Sequence, residues 1–213
     1  KSQRLHKHQI MTDPQIELLI EQKGVPDETS EVICVETHIS WVLLTDQFAY
    51  KIKKPLQFSF LDFSTLEQRK FFCERELALN SRLTSGVYLE VLPIYEANQK
   101  LQIGAIPNGE IVDYTVKMKR LDSSSQMDKL LKNNQVEAFQ IEQLATQLAA
   151  FHTETNVVRD SFDLEELDSK FADLLDIESF VLEQWGNEAR ERLEEIVAQS
   201  TQFLQEHAER FRE

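Results

Sequence analysis

Three lysines in and just after one short apolar segment are the residues best suited to chemistry. The segment 48–53, FAYKIK, has the composition of a half-buried β-strand. Because successive strand side chains point to opposite faces, Ala49, Lys51 and Lys53 share one face and Lys54 lies on the other. A lysine ammonium on such a face can bind a phosphate group as a compact point charge. The pattern leaves Lys51 and Lys53 as rivals for that role.

A carboxylate partner for these lysines is predicted on the helix that follows. The sequence STLE at 64–67 has the form of a capping box and predicts a helix that runs to about Leu83. Glu76 precedes Leu79 by three residues and Leu83 by seven, so these side chains are predicted to share the inward face. An isolated charge is costly to bury, and Lys51 is the natural partner for Glu76.

The elements that must position these residues form a strand-rich zone between two helical ones. A first helix is predicted with Asp13 as its N-cap and Gly24 as its terminator. Tight turns join three strands before the Glu76 helix, and further strands follow that helix. The predicted strands are 31–37, 41–45, 48–54, 89–96, 100–106 and 111–121, and the predicted domains are 1–30, 31–121 and 122–213.

The region after residue 121 is predicted to be helical throughout. A short helix at 127–132 precedes a longer one whose apolar residues recur at helical spacing, and Gly186 separates two further helices, 163–185 and 187–211. The thiols Cys34 and Cys73 and the imidazole of His152 are predicted to be packed inside the protein. Trp41 and Trp185 are predicted to be core or lobe-contact residues.

Composition excludes some classes of partner. Of the 213 residues, 41% are hydrophobic and 28% charged, as in ordinary globular proteins. The net charge of the chain is −14, and residues 151–213 hold 17 acidic and 6 basic side chains. This acidic balance argues against a nucleic-acid partner. The acidity would suit a cationic substrate, although a solvated helical face is its commoner cause. No apolar run is long enough to span a membrane, and no signal peptide precedes Met11, so a cytoplasmic location is predicted.

Several blocks of the sequence resemble one bacterial family. The most specific block is 37–55, THISWVLLTDQFAYKIKKP, and further blocks lie at 60–69, 76–83, 116–121 and 144–152. Together they resemble the aminoglycoside-phosphotransferase-like proteins of the bifunctional phosphotransferase and ATP-binding type, over about residues 31–152. The resemblance implies an α+β, protein-kinase-like N-lobe with five to six antiparallel strands and one helix. The truncated start of an all-helical C-lobe would follow it.

The resemblance also implies ATP bound between two lobes and phosphoryl transfer to a hydroxyl of a small molecule. Lys51 would hold the phosphates, Glu76 would orient Lys51, and Ala49 would pack over adenine. The first hairpin, His38-Ile39-Ser40, lacks the glycines that usually cover phosphates, so the cover would be either looser or made by Ser40 and its neighbouring amides. The strand end at Met118, Lys119 and Arg120 would be the hinge whose backbone meets adenine.

The catalytic machinery of such an enzyme is missing from the sequence. A catalytic Asp needs an Asn five residues later, then a second Asp for magnesium, but Asp160 is followed at that spacing by Glu165. Asp62, in LDFS, precedes the Glu76 helix and is in the wrong order. We therefore expect the catalytic Asp and the Mg²⁺ ligands beyond Glu213, and an inactive fragment. The alternatives are a non-catalytic binding or regulatory module, and an α+β domain whose lysines are merely surface; the small-molecule acceptor stays unidentified.

Overall fold

The computed structural model describes residues 11–157 and 163–212, which fall in two compact units, Lys1–Glu154 and Thr155–Glu213. The first unit is α+β, as predicted. The boundary between the units lies at 154/155, whereas the sequence predicted a boundary at 121/122. The helix of the predicted N-terminal segment, 1–30, packs on the sheet of the first unit.

The secondary structure of the first unit follows the predicted order of elements. Its helices are α1 (Asp13–Glu21), α2 (Leu66–Asn80), α3 (Met127–Lys132) and α4 (Ala138–Glu154), with a 3₁₀ turn at Ser123–Ser125. Its strands are β1 (Ile33–Glu36), β2 (Ser40–Leu44), β3 (Phe48–Lys53), β4 (Gln57–Phe58), β5 (Leu61–Asp62), β6 (Tyr88–Ala97), β7 (Lys100–Ile103) and β8 (Glu110–Lys119).

Six strands form one antiparallel sheet in the order β1-β2-β3-β8-β6-β7. The predicted five to six antiparallel strands are therefore confirmed. Strand β8 is inserted between β3 and β6, although about sixty residues separate β3 from β8 in the chain. The small β4-β5 hairpin was not predicted, because two residues per strand are too few to show an alternating pattern.

One face of the sheet is closed by α1, and we call it the α1 face. Trp41 and Leu43 of β2 and Tyr50 and Ile52 of β3 point to this face, and all four are buried. Two polar contacts fix the N-terminal region to it, because the Trp41 indole N–H donates to Asp13 Oδ1 at 2.9 Å and the Tyr50 hydroxyl donates to Asp27 Oδ1 at 2.5 Å. The buried partners from other elements are Met11, Ile16, Leu19, Val25, Ile94, Leu101, Ile103 and Val112.

Both predicted ends of α1 are corrected by one residue or two. The N-cap is Thr12, whose side chain and that of Gln15 form a capping box. At the other end Lys23 adopts the left-handed conformation, with φ +49°, and the Gly24 N–H donates to the Leu19 carbonyl at 2.9 Å. Gly24 was predicted as the stop of the helix, but in the structure it allows the close approach of the chain to β7. A Cβ there would lie 2.5 Å from the main-chain oxygen of Leu101.

Some predictions of buried side chains are wrong. Cys34 is exposed because β1 is the edge strand and all four of its residues are exposed, whereas Cys73 and Trp41 are buried as predicted. His152 is exposed on α4, which holds no buried residue although its apolar positions recur as predicted. Trp185, at the C-terminal end of its helix, is also exposed.

The second unit is helical, as predicted, but it has more breaks than the sequence indicated. Its described elements are α5 (Leu164–Ala172), a 3₁₀ turn (Asp173–Ile177), α6 (Glu178–Trp185), α7 (Asn187–Glu206) and α8 (Ala208–Arg212). A buried core of Val181, Val197 and Leu204 is flanked by a hydrogen bond from the Thr201 hydroxyl to Asp168, 2.6 Å long. Within the two described ranges of the chain, no helix is both long and apolar enough to cross a membrane.

Candidate functional site: two lysines on one glutamate

The second face of the sheet holds several of the predicted site residues. We call it the α2 face because α2 packs over part of it. Residues paired across antiparallel strands point to the same face. Ala49 pairs with Met118 and Lys51 with Val116, while on the other side Lys53 pairs with Ser40. Strands β2, β3 and β8 therefore bring the predicted site residues Ala49, Lys51, Ser40 and Met118 to one face.

Glu76 of α2 contacts both candidate lysines. The Lys51 Nζ lies 2.8 Å from Glu76 Oε1, and the Lys53 Nζ lies 2.6 Å from Glu76 Oε2. The predicted contact between Lys51 and Glu76 is thus present, and Lys53, the rival lysine, contacts the same carboxylate. We call these three residues the paired-lysine cluster.

The two lysines differ in how far they reach solvent. The side chain of Lys51 is 28% exposed, that of Lys53 6% and that of Glu76 12%. The Lys53 ammonium also lies 4.8 Å from the centre of the Phe63 ring, and Phe63 is itself buried. Lys53 is therefore enclosed, whereas Lys51 presents part of its side chain to the outside of the cluster.

The charges of the cluster do not cancel. Burial by itself raises the pKa of Glu76, but hydrogen bonds from Lys51 and Lys53 and the charges of both lysines outweigh it, so its pKa lies below the ordinary value. Glu76 is consequently ionised at neutral pH and can neutralise one of its two ammonium partners. The cluster keeps a net charge of about +1 at a half-buried position, where an anion is attracted more strongly than on an open surface.

The orientation of α2 is fixed by a second ion pair, which sequence reasoning missed. The Arg69 Nε donates to Asp113 Oδ1 at 2.9 Å, with both side chains fully buried, and an Arg69 terminal nitrogen donates to the Phe63 carbonyl at 3.1 Å. Helix α2 begins after Thr65, whose hydroxyl accepts from the Gln68 N–H, one residue later than the predicted cap. The sequence does contain a signal for this pair: Asp113 lies within an apolar strand, and Arg69 lies two helical turns before Glu76.

An apolar strip adjoins the paired-lysine cluster on the α2 face. Ala49 and Met118 lie side by side, and Tyr88 of β6 pairs with Met118 on the far side. The strip continues across β2 and the edge strand with Val42, Leu44, Ile33 and Val35, the last two of which are exposed. Sequence reasoning missed these four residues, because their common face follows from the register of the β1-β2 and β2-β3 hairpins.

Two predicted site residues are occupied by internal contacts. Ser40 begins β2 instead of lying in the hairpin turn, and it is fully buried; its hydroxyl finds no hydrogen-bond partner among the described residues. The Ser40 N–H donates to the Thr37 hydroxyl at 3.0 Å, so this main-chain donor already has a partner within the first hairpin. An Arg120 guanidinium nitrogen donates to the Thr45 carbonyl at 2.6 Å, and the Arg120 N–H donates to the Gln47 carbonyl.

Exposure does not argue against the alternative of surface lysines. Lower exposure of Lys51 than of Lys54 would have done so, but the side chain of Lys54 is 15% exposed and that of Lys51 is 28% exposed. The reason is that the ammonium of Lys54 lies over the Trp41 ring and pairs with Glu36 on the α1 face. Leu79 and Leu83 were expected to face inward with Glu76, but both are exposed. Leu83 lies beyond α2, which ends at Asn80 and not at about Leu83 as predicted.

The remaining titratable groups near the site offer little reactivity. Burial raises the pKa of the Cys73 thiol to about 12, so this thiol stays protonated at neutral pH. Asp62 accepts hydrogen bonds from the Ser64 hydroxyl and N–H, which lower the pKa of this carboxyl. Asp160 lies outside the described residues. Within 11–157 and 163–212, no three His, Cys, Asp or Glu side chains group as metal ligands would.

Comparison with known proteins gives relatives without an assigned function. Over 117 residues the chain is 32% identical to uncharacterized proteins of Mycobacterium tuberculosis and Mycobacterium bovis. The match covers 55% of this chain but 22% of each relative, so the chain spans a small part of the length of these curated relatives. No family model matches the sequence. No solved structure matches either.

Proposed function

We propose that the first unit is the nucleotide-holding lobe of an ATP-dependent small-molecule kinase of the protein-kinase-like, aminoglycoside-phosphotransferase-like type. The observation that carries the proposal is the contact of Lys51 with Glu76 beside an apolar strip on the same sheet face. In kinases a lysine of the third strand and a glutamate of the following helix form this pair, and the lysine binds the nucleotide phosphates. The predicted location of the protein is the cytoplasm.

Each part of ATP has a suitable counterpart on the α2 face. The excess positive charge of the paired-lysine cluster suits the phosphates, and Lys51 is the cluster member with exposed surface. The flat apolar adenine ring fits over Ala49 and Met118. Because the N–H groups of Lys119 and Arg120 already donate to the Val87 and Gln47 carbonyls, a main-chain donor to adenine comes from residue 121 or later.

Among the described residues, the carboxylate of the paired-lysine cluster is not free to bind Mg²⁺ at this face. Glu76, the carboxylate of the cluster, already accepts from two ammonium groups, and both of its oxygens are used. In the proposal Mg²⁺, which neutralises charge on the phosphates during transfer, is held together with the general base by residues outside the described ranges. The acceptor is proposed to be a small molecule with a hydroxyl group, whose identity the site does not define.

Titration of the chain with MgATP tests the proposal, with Lys51→Met and Lys54→Met as matched variants. Both substitutions remove one ammonium from the same short segment, but Lys54 pairs with Glu36 on the other face. We expect MgATP to raise the melting temperature of the wild type and of Lys54→Met, and to leave Lys51→Met unchanged. Equal shifts in all three proteins, or no shift at millimolar MgATP, would contradict a nucleotide site at Lys51.

A second measurement distinguishes a kinase from a non-catalytic binding module. A longer version of the protein, matched in length to the mycobacterial relatives, is incubated with γ-labelled ATP and a panel of small hydroxyl compounds. A kinase transfers label to at least one compound, and a binding module retains the Lys51-dependent MgATP binding without transfer. The panel therefore separates the two functions once binding is established.

A further inference from the structure

The two lysines of the paired-lysine cluster are not equivalent. The Lys53 ammonium is enclosed by the Glu76 carboxylate at 2.6 Å and the Phe63 ring at 4.8 Å, and its side chain is 6% exposed. Lys51 holds the other carboxylate oxygen at 2.8 Å with a side chain that is 28% exposed. An incoming anion can therefore reach Lys51, whereas Lys53 is covered by its partners.

The shared carboxylate explains why a second lysine is useful. When the ammonium of Lys51 turns toward a phosphate group, it weakens or gives up its hydrogen bond to Glu76 Oε1. A buried carboxylate that loses its cationic partner is strongly destabilised. With Lys53 still bound to Oε2, the charge of Glu76 stays compensated throughout, and Glu76 stays in place to orient Lys51.

We infer that Lys53 is a positioning residue, which holds Glu76 ionised and fixed so that Lys51 is free to bind the phosphates. This inference rests on the proposed nucleotide-binding function and adds to it a division of labour between the lysines. Lys51 contacts the ligand, and Lys53 acts through Glu76 without touching the ligand. The enclosure of Lys53 by Phe63 keeps it from competing for the phosphates.

The first test observes the lysine ammonium groups directly in the wild-type chain. The two ammonium ¹H–¹⁵N signals are assigned with the variants Lys51→Arg and Lys53→Arg and are followed during MgATP titration. We expect the Lys53 signal to be detectable without ligand, because its protons exchange slowly, and to shift little on titration. The Lys51 signal should shift strongly. Equal shifts, or a Lys53 ammonium that exchanges as fast as an exposed lysine, would overturn the inference.

The second test measures MgATP affinity in variants of the cluster. Loss of a hydrogen bond to a charged group corresponds to about a tenfold or greater change in affinity, so Lys53→Met should bind MgATP at least that much more weakly than the wild type. Lys53→Arg, which keeps the charge, should stay within about threefold. Removing the carboxylate as well, in Lys53→Met with Glu76→Gln, should restore part of the affinity, because no buried charge then holds Lys51.

The rescue distinguishes positioning from mere structural support. If Lys53 only stabilised the fold, the double variant would bind no more tightly than Lys53→Met, and circular dichroism would show similar unfolding in both. Unchanged affinity in Lys53→Met would overturn the inference while leaving the nucleotide site intact. Absence of MgATP binding by the wild type would instead overturn the proposed function, and the ammonium signals would then decide whether Lys53 anchors Glu76.

Discussion

The two faces of the six-stranded sheet are made by the same strands, yet they differ in chemistry. On the α1 face, Tyr50 and Ile52 are buried in an apolar core that α1 closes. On the α2 face, Ala49, Lys51 and Lys53 alternate with them and leave two ammonium groups around one carboxylate. Strand alternation thus allows one six-residue segment to serve stability on one side and, in the proposed function, phosphate binding on the other.

Breaking the buried ion pair that positions α2 is expected to have the largest effect. Arg69→Met leaves Asp113 without its fully buried cationic partner, and the free energy of unfolding should fall by about 3–5 kcal/mol. The control is Lys70→Met, which removes an exposed charge from the next position and should change it by less than about 0.5 kcal/mol. Urea denaturation at pH 7 measures both. Similar losses would show that the Arg69–Asp113 pair does not hold α2 on β8.

A larger side chain between α1 and β7 tests how closely α1 packs on the sheet. Gly24→Ala places a Cβ 2.5 Å from the Leu101 main-chain oxygen, and the resulting overpacking should cost about 1–3 kcal/mol. The neighbouring change Lys23→Gly should instead raise the free energy of unfolding, by at most about 1 kcal/mol, because Lys23 is in the left-handed region, which glycine adopts readily. Thermal denaturation compares the two. A harmless Gly24→Ala would mean that α1 packs less closely on β7 than the structure shows.

The buried carboxylates of the two ion-paired sites should respond to pH in opposite directions. Burial raises the pKa of Asp113 to about 6, although Arg69 opposes this shift. The contribution of Asp113 to stability is therefore complete below its unfolded value, about 3.9, and is lost as the pH rises through 6. Between pH 5 and pH 7 the free energy of unfolding of the wild type should fall by about 1 kcal/mol, whereas that of Asp113→Asn should not show this loss.

Glu76 has the opposite sign because its pKa is lowered. Its contribution to stability is complete above the unfolded value of about 4.3 and disappears as the pH falls through the lower, folded value. Urea denaturation from pH 5 to pH 3 should therefore show a steeper loss in the wild type than in Glu76→Gln. Parallel curves would indicate that the two lysines do not hold the carboxylate in its ionised form.

The smallest expected effect concerns thiol chemistry and leaves stability unchanged. Cys34 is exposed on the edge strand, whereas Cys73 is buried under α2 with a pKa raised to about 12. An aromatic disulfide reagent at pH 8 should modify one thiol in the native protein and the second after addition of urea. Cys34→Ser should abolish the fast reaction. Rapid modification of both thiols would indicate that α2 opens readily from the sheet.

Local periodicity was enough to predict several of these features, and burial was the common source of error. Lys51 and Glu76 were paired correctly because each lies on a defined face of its own element. Cys34 and His152 were wrongly predicted to be packed, because an apolar neighbourhood in sequence does not show which face another element covers. The Arg69–Asp113 pair was missed because 44 residues separate its members.

By itself, the sequence determined the type and order of most elements and the face on which each lysine lies. These properties depend on side-chain repeats within single strands and helices, which are short-range. The tertiary structure alone decided that β8 lies between β3 and β6, that Lys53 shares Glu76 and that Ser40 and Arg120 are occupied internally. Register and burial arise from contacts between distant segments, and no local pattern specifies them.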